Sequence, residues 1–372
     1  MLRIGITGQA GFIGSHLYNT LRLFPEKFSC IHFQREFFED EQLLDGFVLE
    51  CDVIVHLAAM NRHKDPQVIY NTNIGLVKKL ITSLENTNVR PHVLMSSSLQ
   101  EEYDNLYGQS KKDGRELLAA WAAKAKATFT GLLIPNVFGP FGKPMFNSVV
   151  ATFSHLVANG GTPKIDVDRT IKLIYIDELI SEIIEKIKIK RNEDLSIINK
   201  TYEAKVSEIL NILNHFRELY QEKGEIPNFS NLLELNLFNT YRSYMDIEKY
   251  FPVKYSQHKD TRGTFVEVIR LGIGGQVSFS TTVPGITRGN HFHTRKIERF
   301  SVIKGKAHIQ LRRVGTDKVI DFYLDGNEPS YVDMPVWYTH NIKNIGDELL
   351  YTNFWINEIY DSDNPDTYFE SV

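Results

Sequence analysis

Cysteine is almost missing from this sequence: Cys30 and Cys51 are the only two among 372 residues, and no C-x-x-C spacing joins them. A disulfide framework and a cysteine metal site are thereby excluded, and a reducing compartment, the cytoplasm, is the expected setting. Missing as well is any apolar run close to the roughly 18 residues of a membrane-spanning helix. The chain enters a strand pattern at Leu2 without the charged and apolar regions of a leader peptide, so neither membrane insertion nor secretion is expected. Basic blocks are absent too: the formal charge is -4 and Lys and Arg are scattered among acids, which disfavours nucleic acid and anionic membrane surfaces as partners. Internal repeats and low-complexity tracts are lacking.

What is present describes a globular protein with 42% hydrophobic and 24% charged residues. Its length exceeds what one hydrophobic core usually sustains, so two domains are expected. From Met1 to about Tyr175, nearly continuous apolar runs at Leu2–Thr7, Phe28–Phe33, Val53–Leu57, His92–Ser96 and Phe129–Ile134 alternate with helical stretches. That alternation predicts a parallel sheet covered by helices on both faces. Helical patterns continue to about Leu219 around a short strand at Leu195–Ile198, followed by a polar loop at Gln221–Asn231. Beyond Pro252 the periodicity becomes that of short alternating strands, Thr264–Arg270, Gln276–Thr281, Ala307–Arg312, Lys318–Leu324 and Leu350–Ile356, separated by Gly, Asp and Asn. An antiparallel sandwich or barrel is expected there. The limits predicted are 1–245 for the first domain, 246–259 for a linker and 260–372 for the second.

The first strand runs into Gly8-Gln9-Ala10-Gly11-Phe12-Ile13-Gly14 and then a helix. Glycines at this turn permit close approach of the main chain to a pyrophosphate, which would face the helix N-terminus. Arg35, about 20 residues on, stands where an arginine accepts a 2′-phosphate, which favours NADP(H) over NAD(H); the neighbouring Glu36 pulls the other way. Tyr107 and Lys111 are four apart on a helical stretch and so share one face, and Lys111 is expected to lower the pKa of Tyr107. Upstream, Ser96-Ser97-Ser98 ends a strand at the sheet edge where open α/β folds bind ligands, and Ser98 is placed to hydrogen-bond a reacting oxygen.

These features, with His56-Leu57-Ala58-Ala59 after the third strand and Pro135-Asn136-Val137-Phe138-Gly139-Pro140 after the fifth, resemble the extended short-chain dehydrogenase/reductase family over residues 1–245. The resemblance implies a Rossmann-like doubly wound sheet, a catalytic Ser98, Tyr107 and Lys111, and a nucleotide-sugar substrate. It further implies cofactor contacts from Gly8, Gly11, Phe12, Ile13, Gly14, Arg35, Leu57, Ala58, Ala59 and Lys111, and substrate contacts from Asn136 and Asn147. Asn147 is equally well placed as a helix N-cap. The chain departs from the family in a short gap between Ser98 and Tyr107 and in Leu133, where an arginine is common.

In the second half, His291 and His293 sit at alternate positions, Glu298 follows five residues on, and His340 lies far downstream beyond Pro335. Three imidazoles and a carboxylate converging inside a small barrel would bind a divalent metal. The spacing resembles both motifs of the cupin superfamily, with Trp337 where the second motif usually has glycine, and implies an all-β double-stranded β-helix or jelly roll. The segment from Asp260 through Arg262 to Glu267, and Arg288 before His291, also resemble the deoxysugar 3,5-epimerases. Those are metal-free cupins in which the corresponding histidine is a base, so His291 is either ligand or base, and Arg288 a substrate contact.

A reductase and a cupin in one chain, ending in Asn364-Pro365-Asp366-Thr367-Tyr368-Phe369, resemble bifunctional enzymes of capsular polysaccharide synthesis. The resemblance implies C3 epimerisation of a UDP-2-acetamido-2,6-dideoxy-4-ketohexose by the cupin, then NADPH reduction at C4. The product would be UDP-N-acetyl-6-deoxy-L-talosamine, with one zinc ion per chain and a homodimer. Two alternatives stay open: a reductase whose cupin only dimerises, and a non-catalytic NADP(H)-binding redox sensor.

Overall fold

The computed structural model describes residues 1–261 and 263–372, with no side-chain description at 263–265. Arg262, one of the residues carrying the epimerase resemblance, therefore lies outside the described residues. The chain divides into two compact units, Met1–Thr152 with Val167–Val206 and Phe153–Asp166 with Ser207–Val372. The domain limits read from the sequence stand beside this division as a proposal.

In the first unit, β1 (Leu2–Thr7), β2 (Phe28–Ile31), β3 (Val53–His56), β4 (His92–Ser98) and β5 (Phe129–Ile134) form a parallel sheet. The order is β2-β1-β3-β4-β5, with strand Glu193–Ile197 beyond β5. All four residues of β3 and all six of β5 are buried, as a sheet covered on both faces requires. The helices α1 (Phe12–Leu21), α2 (Glu41–Glu50), α3 (Pro66–Thr87) and α4 (Leu106–Ala125) follow the first four strands.

Their ends obey local rules. Asp40 accepts from Gln42 N and Leu43 N at the start of α2, Asp65 caps α3 ahead of Pro66, and Asn105 caps α4. The sequence extends β2 to Phe33, but the chain leaves the sheet after Ile31 and forms a short 3-10 turn, Arg35–Glu39, whose Phe38 turns back into the core beside Phe33 and Phe47. Aromatic burial overrides strand propensity here. Conversely β4 runs two residues past the expected end, so Ser98 closes the strand.

In the second unit two antiparallel five-stranded sheets share one apolar core. The first places Val253–Lys254, Ser330–Met334, Glu298–Lys304, Leu350–Ile356 and Gln276–Thr282 side by side. The second places Val319–Asp325, Lys306–Arg313, Tyr338–Asn344, Thr287–Phe292 and Tyr368–Phe369 side by side. Phe300 and Val302 from one sheet meet Ile309, Leu311 and Ile342 from the other. The strand expected at Thr264–Arg270 is Gly263–Val266, which among the described residues pairs with Gln257–Asp260 alone. The alternation in Glu298–Lys304 sends Phe300 and Val302 inward and leaves Arg299 on the opposite face, where helical residues cover it.

Arg299 is 1% exposed and forms a bidentate pair with Asp333, Nε to Oδ1 at 2.7 Å and Nη2 to Oδ2 at 3.0 Å. Tyr220 donates to the same carboxylate at 2.5 Å, and the guanidinium lies 3.7 Å from the centre of the Tyr331 ring. This pair joins strand Ser330–Met334 to the helical turn at Arg217–Glu222. A buried pair is costly to break, because removing one partner strands the other charge in a poor dielectric. Asp333→Ala should lower unfolding free energy by about 3–5 kcal/mol, and the double substitution Arg299→Met with Asp333→Leu should recover most of that loss; urea denaturation of both variants checks the pair.

Candidate functional sites

The glycine turn of the first unit is closed on one side and open on the other. Gly8 has φ of 75°, and a Cβ there would lie 2.8 Å from Ala58 N, so only glycine lets the β1–α1 turn pack against Leu57 and Ala58. Gly8 O accepts from Gly11 N at 2.9 Å, whereas a Cβ on Gly11 would meet nothing but that carbonyl. The cradle therefore faces free space at Gly11, ahead of an α1 N-terminus that has no side-chain cap, and Ile13 and Gly14 belong to its first turn. Phe12 turns away instead, edge-on to His16, whose Nε2 is 3.0 Å from Pro140 O. Arg35 and Glu36 are exposed at the end of β2, and the residues 57–59 follow β3 on the same sheet edge. This geometry fits a dinucleotide.

At the head of α4, a Cβ on Gly108 would strike Gln100 O at 1.9 Å, so glycine seats the helix start against the 3-10 turn Leu99–Glu102. That contact sets the position of Tyr107. Ser98 accepts from Gln100 N at 3.2 Å and caps the same turn. Lys111 is 3% exposed, and its Nζ donates to Ser96 Oγ at 3.5 Å.

The expectation that Lys111 lowers the Tyr107 pKa is corrected here: burial raises the phenol above its ordinary value, and the lysine is the perturbed partner. Desolvation pulls Lys111 down to about 8, opposed by the charge of Glu101. Spacing of four placed the two side chains on one helix face, but it did not say that the ammonium would turn toward Ser96.

Asn136 and Asn147 are both exposed. Asn136 donates to Lys172 O, and Asn147 donates to Asn61 O at 3.0 Å. The helix cap is not Asn147 but its neighbour Ser148, which accepts from Ala151 N.

Several residues bearing on this site were not legible in the sequence. Arg62 donates to the carbonyls of Met145 and Phe146, both at 2.9 Å, and so ties the loop after β3 to the loop carrying Asn147. Glu101 and Arg115, 7% and 9% exposed, form a fork at 2.8 to 3.3 Å that anchors the turn after Ser98. Asn73 bridges Met60 and Ser110. A polar residue at a buried position of an otherwise amphipathic helix was the one signal available for Asn73.

In the second unit, donor atoms of His291, His293, Glu298 and His340 lie within 4.8 Å of one another. Thr287–Phe292 carries a bulge at Asn290, φ 60°, that shifts its register against Tyr338–Asn344. His293 Nε2 and His340 Nε2 approach Glu298 Oε2 at 3.1 and 3.2 Å. The Nδ1 atoms of the same two rings sit near main-chain carbonyls, of Asp366 at 2.5 Å and of Tyr338 at 3.2 Å. Both rings thus turn Nε2 inward.

Burial, with His340 and His293 nearby, holds His291 down to about 4, leaving it neutral. Burial also opposes the charge on His293, yet the hydrogen bond and charge of Glu298 carry its pKa up. Two imidazoles lower the Glu298 carboxyl against its own burial. Three neutral-capable nitrogens and one carboxylate, mostly buried and with the outer nitrogens of His293 and His340 satisfied, fit a divalent ion. Trp337 has φ of 62°, the left-handed conformation that explains why glycine is usual at its position in the motif. Arg288 is exposed at the start of the same strand as His291.

Similarity to known proteins covers the whole chain. Residues 4–186 match the NAD dependent epimerase/dehydratase family, and residues 258–368 match the polysaccharide biosynthesis C-terminal domain. A UDP-2-acetamido-2,6-beta-L-arabino-hexul-4-ose reductase of Pseudomonas aeruginosa is 32% identical over 100% of this chain and 99% of its own length. The crystal structure of the capsular polysaccharide assembling protein CapF from Staphylococcus aureus covers 100% of both chains at 33% identity and a TM-score of 0.63. CapF with the inhibitor 3-isopropenyl-tropolone matches at 31% identity and a TM-score of 0.61, again over 100% of both chains.

The lysine makes a stability prediction. Below pH 8 it is charged in both folded and unfolded chains, and the folded state bears the cost of burying that charge; above about pH 10.4 it is neutral in both, and the cost is gone. Lys111→Met should therefore stabilise the cofactor-free protein at pH 7 by up to roughly 3 kcal/mol, an advantage that shrinks between pH 8 and 10.4. Thermal melts of both proteins across that range measure it.

Proposed function

This chain belongs to the CapF family of polysaccharide-biosynthesis enzymes, and on that premise we propose that it carries out two consecutive reactions on one nucleotide sugar. The first is C3 epimerisation of a UDP-2-acetamido-2,6-dideoxy-4-ketohexose in the second unit. The second is NADPH-dependent reduction of the C4 ketone in the first, giving UDP-N-acetyl-6-deoxy-L-talosamine in a cytoplasmic homodimer. The observation that carries the reading is full-length similarity to a UDP-hexulose reductase in a chain that has a glycine turn after β1 and, at the head of α4, a half-buried Tyr107 one turn from a buried Lys111.

For reduction, bound NADPH supplies the hydride. The glycine turn receives the pyrophosphate, and Arg35 meets the 2′-phosphate. The phenol of Tyr107 is protonated at neutral pH at its ordinary value, which burial raises further, so it can give its proton to the C4 oxygen as charge develops there. Ser98 donates to the same oxygen, and Lys111, whose Nζ reaches Ser96 Oγ in the cofactor-free chain, would stabilise the phenolate that remains only after turning toward the tyrosine. Asn136, at the start of the strand Asn136–Phe138, and Asn147, in the loop ahead of the helix Val149–Ala158, contact the sugar nucleotide.

For epimerisation, the C3 proton is acidic only while C4 is a ketone, because its removal spreads charge onto the C4 oxygen. A divalent ion, zinc by the chemistry of the donors, would be held by His291, His293, Glu298 and His340 and would stabilise that charge as a Lewis acid. The proximity of His291 to the other three donors supports its reading as a ligand rather than a base. Arg288, exposed beside the cluster, supplies a cation for the diphosphate. Reduction then closes the route, since a C4 alcohol no longer acidifies C3.

In deuterated water without NADPH, wild type and Tyr107→Phe should both exchange deuterium into C3, and His291→Ala should not. With NADPH, Tyr107→Phe should reduce the ketone roughly 10²–10⁴-fold more slowly. A reduced product without inversion at C3 leaves the β-rich unit as a dimerisation module, and absence of NADPH consumption leaves a redox sensor. For the cofactor, Arg35→Ala should largely abolish a wild-type preference for NADPH over NADH; equal use of both by the wild type removes Arg35 from that role.

A further inference from the structure

The C-terminal segment crosses the outer side of the histidine cluster and is fastened at every step. Asp366 is 2% exposed, and its carboxylate accepts from Thr294 N at 3.1 Å, Thr294 Oγ1 at 2.7 Å, Arg295 N at 3.0 Å and Lys296 N at 3.0 Å. Three successive main-chain N–H groups thus converge on one carboxylate and fix the turn that leaves His293. Just before it, Asn364 O accepts from Arg295 at 2.9 Å and Pro365 O from Lys296 at 2.6 Å.

Further on, Tyr368–Phe369 pairs with Phe292 and His291, Glu370 N donates to Asn290 O at 3.0 Å, and Arg312 reaches Glu370 and Ser371. Asp366 itself has φ of 43°, a left-handed conformation that costs free energy and is held there by these bonds.

The decisive contact comes from the main chain of the same residue: Asp366 O lies 2.5 Å from His293 Nδ1. A carbonyl can only accept, so this ring, when neutral, must carry its proton on Nδ1 and present the Nε2 lone pair to the cluster. His340 obtains the equivalent restraint from Tyr338, two residues away, whereas His293 obtains it from a residue 73 positions downstream.

We propose that the C-terminal segment 364–371 is a positioning strap for His293, in which the Asp366 carboxylate locks the 294–296 turn so that the Asp366 carbonyl selects the Nδ1-protonated tautomer. Asp366 is a positioning residue, since it acts on the site only through His293. The inference that the strap sets metal affinity rests on reading the four side chains as a metal site; the tautomer it imposes does not.

Two measurements on the full-length protein test it. In metal-free wild type at pH 9, nitrogen NMR of histidine-labelled protein should show His293 protonated on Nδ1, and Asp366→Ala should give a mixture of tautomers. Wild-type His293 protonated on Nε2 overturns the strap without recourse to any variant. Zinc affinity, measured by competition with a chromophoric chelator, should fall about 10–100-fold in Asp366→Ala. It should fall also in Asp366→Asn, whose amide turns donors toward the N–H groups of the turn. Ile359→Ala, outside the strap and 76% exposed, should bind zinc as wild type does. Far-ultraviolet circular dichroism establishes that each variant is folded, and Asp366→Asn carries the comparison if Asp366→Ala is not. Folded Asp366 variants with wild-type affinity and tautomer overturn the proposal. A wild type that binds no zinc overturns the metal reading and the strap's effect on affinity, while the tautomer measurement still decides the strap itself.

Discussion

The Lys111 ammonium sits inside the protein with one serine hydroxyl at 3.5 Å, and much of the first unit is arranged around the cost of keeping a cation there. Desolvation favours the neutral amine, and the nearest opposing charge is Glu101, which raises the lysine pKa without pairing with it. Glu101 is instead forked by Arg115, so the carboxylate is itself neutralised at short range while still acting on the lysine from further away. The outcome is a lysine held down to about 8, with its ammonium turned toward Ser96 rather than paired with Glu101. A direct Lys–Glu pair would have raised its pKa.

The second unit meets the same constraint by the opposite means. Arg299 and Asp333 are matched fork to fork with a tyrosine hydroxyl on the carboxylate, which leaves little unsatisfied charge and nothing for a ligand to complete. Glu298, 12% exposed, is instead met by two imidazole edges, and imidazoles are partners that can lose a proton to become ligands. A saturated pair supports the fold; a cluster held together by exchangeable protons can take in a cation. Burial is common to the two arrangements, and the identity of the partner separates their roles.

How much of this was legible follows from sequence separation. The glycine turn, the Tyr107-to-Lys111 spacing and the two histidines around Phe292 are short-range patterns, and each sits on or beside the element the sequence assigned to it: the β1–α1 turn, helix α4 and the strand Thr287–Phe292. His340 was reached across a long gap because its motif carries its own local grammar around Pro335. Readings that depended on where a side chain points were less secure: the phenol of Tyr107 moves up rather than down, and the cap near Asn147 belongs to Ser148.

Contacts joining distant segments through main-chain carbonyls left no trace in the pattern of residue types, because a carbonyl belongs to every residue alike. Arg62 on the 145–146 carbonyls and Asp366 O on His293 are of this kind. Such contacts can be inferred only once the fold has brought the segments together, and in both cases the residue that does have a distinctive side chain, a loop arginine or a tail aspartate, reads in the sequence like any charged residue of a loop. The Asp366 carboxylate shows how function is nonetheless encoded there: its four donors could be satisfied only by an acid, so the residue type is dictated by the turn it locks, and the histidine tautomer is a consequence of that lock.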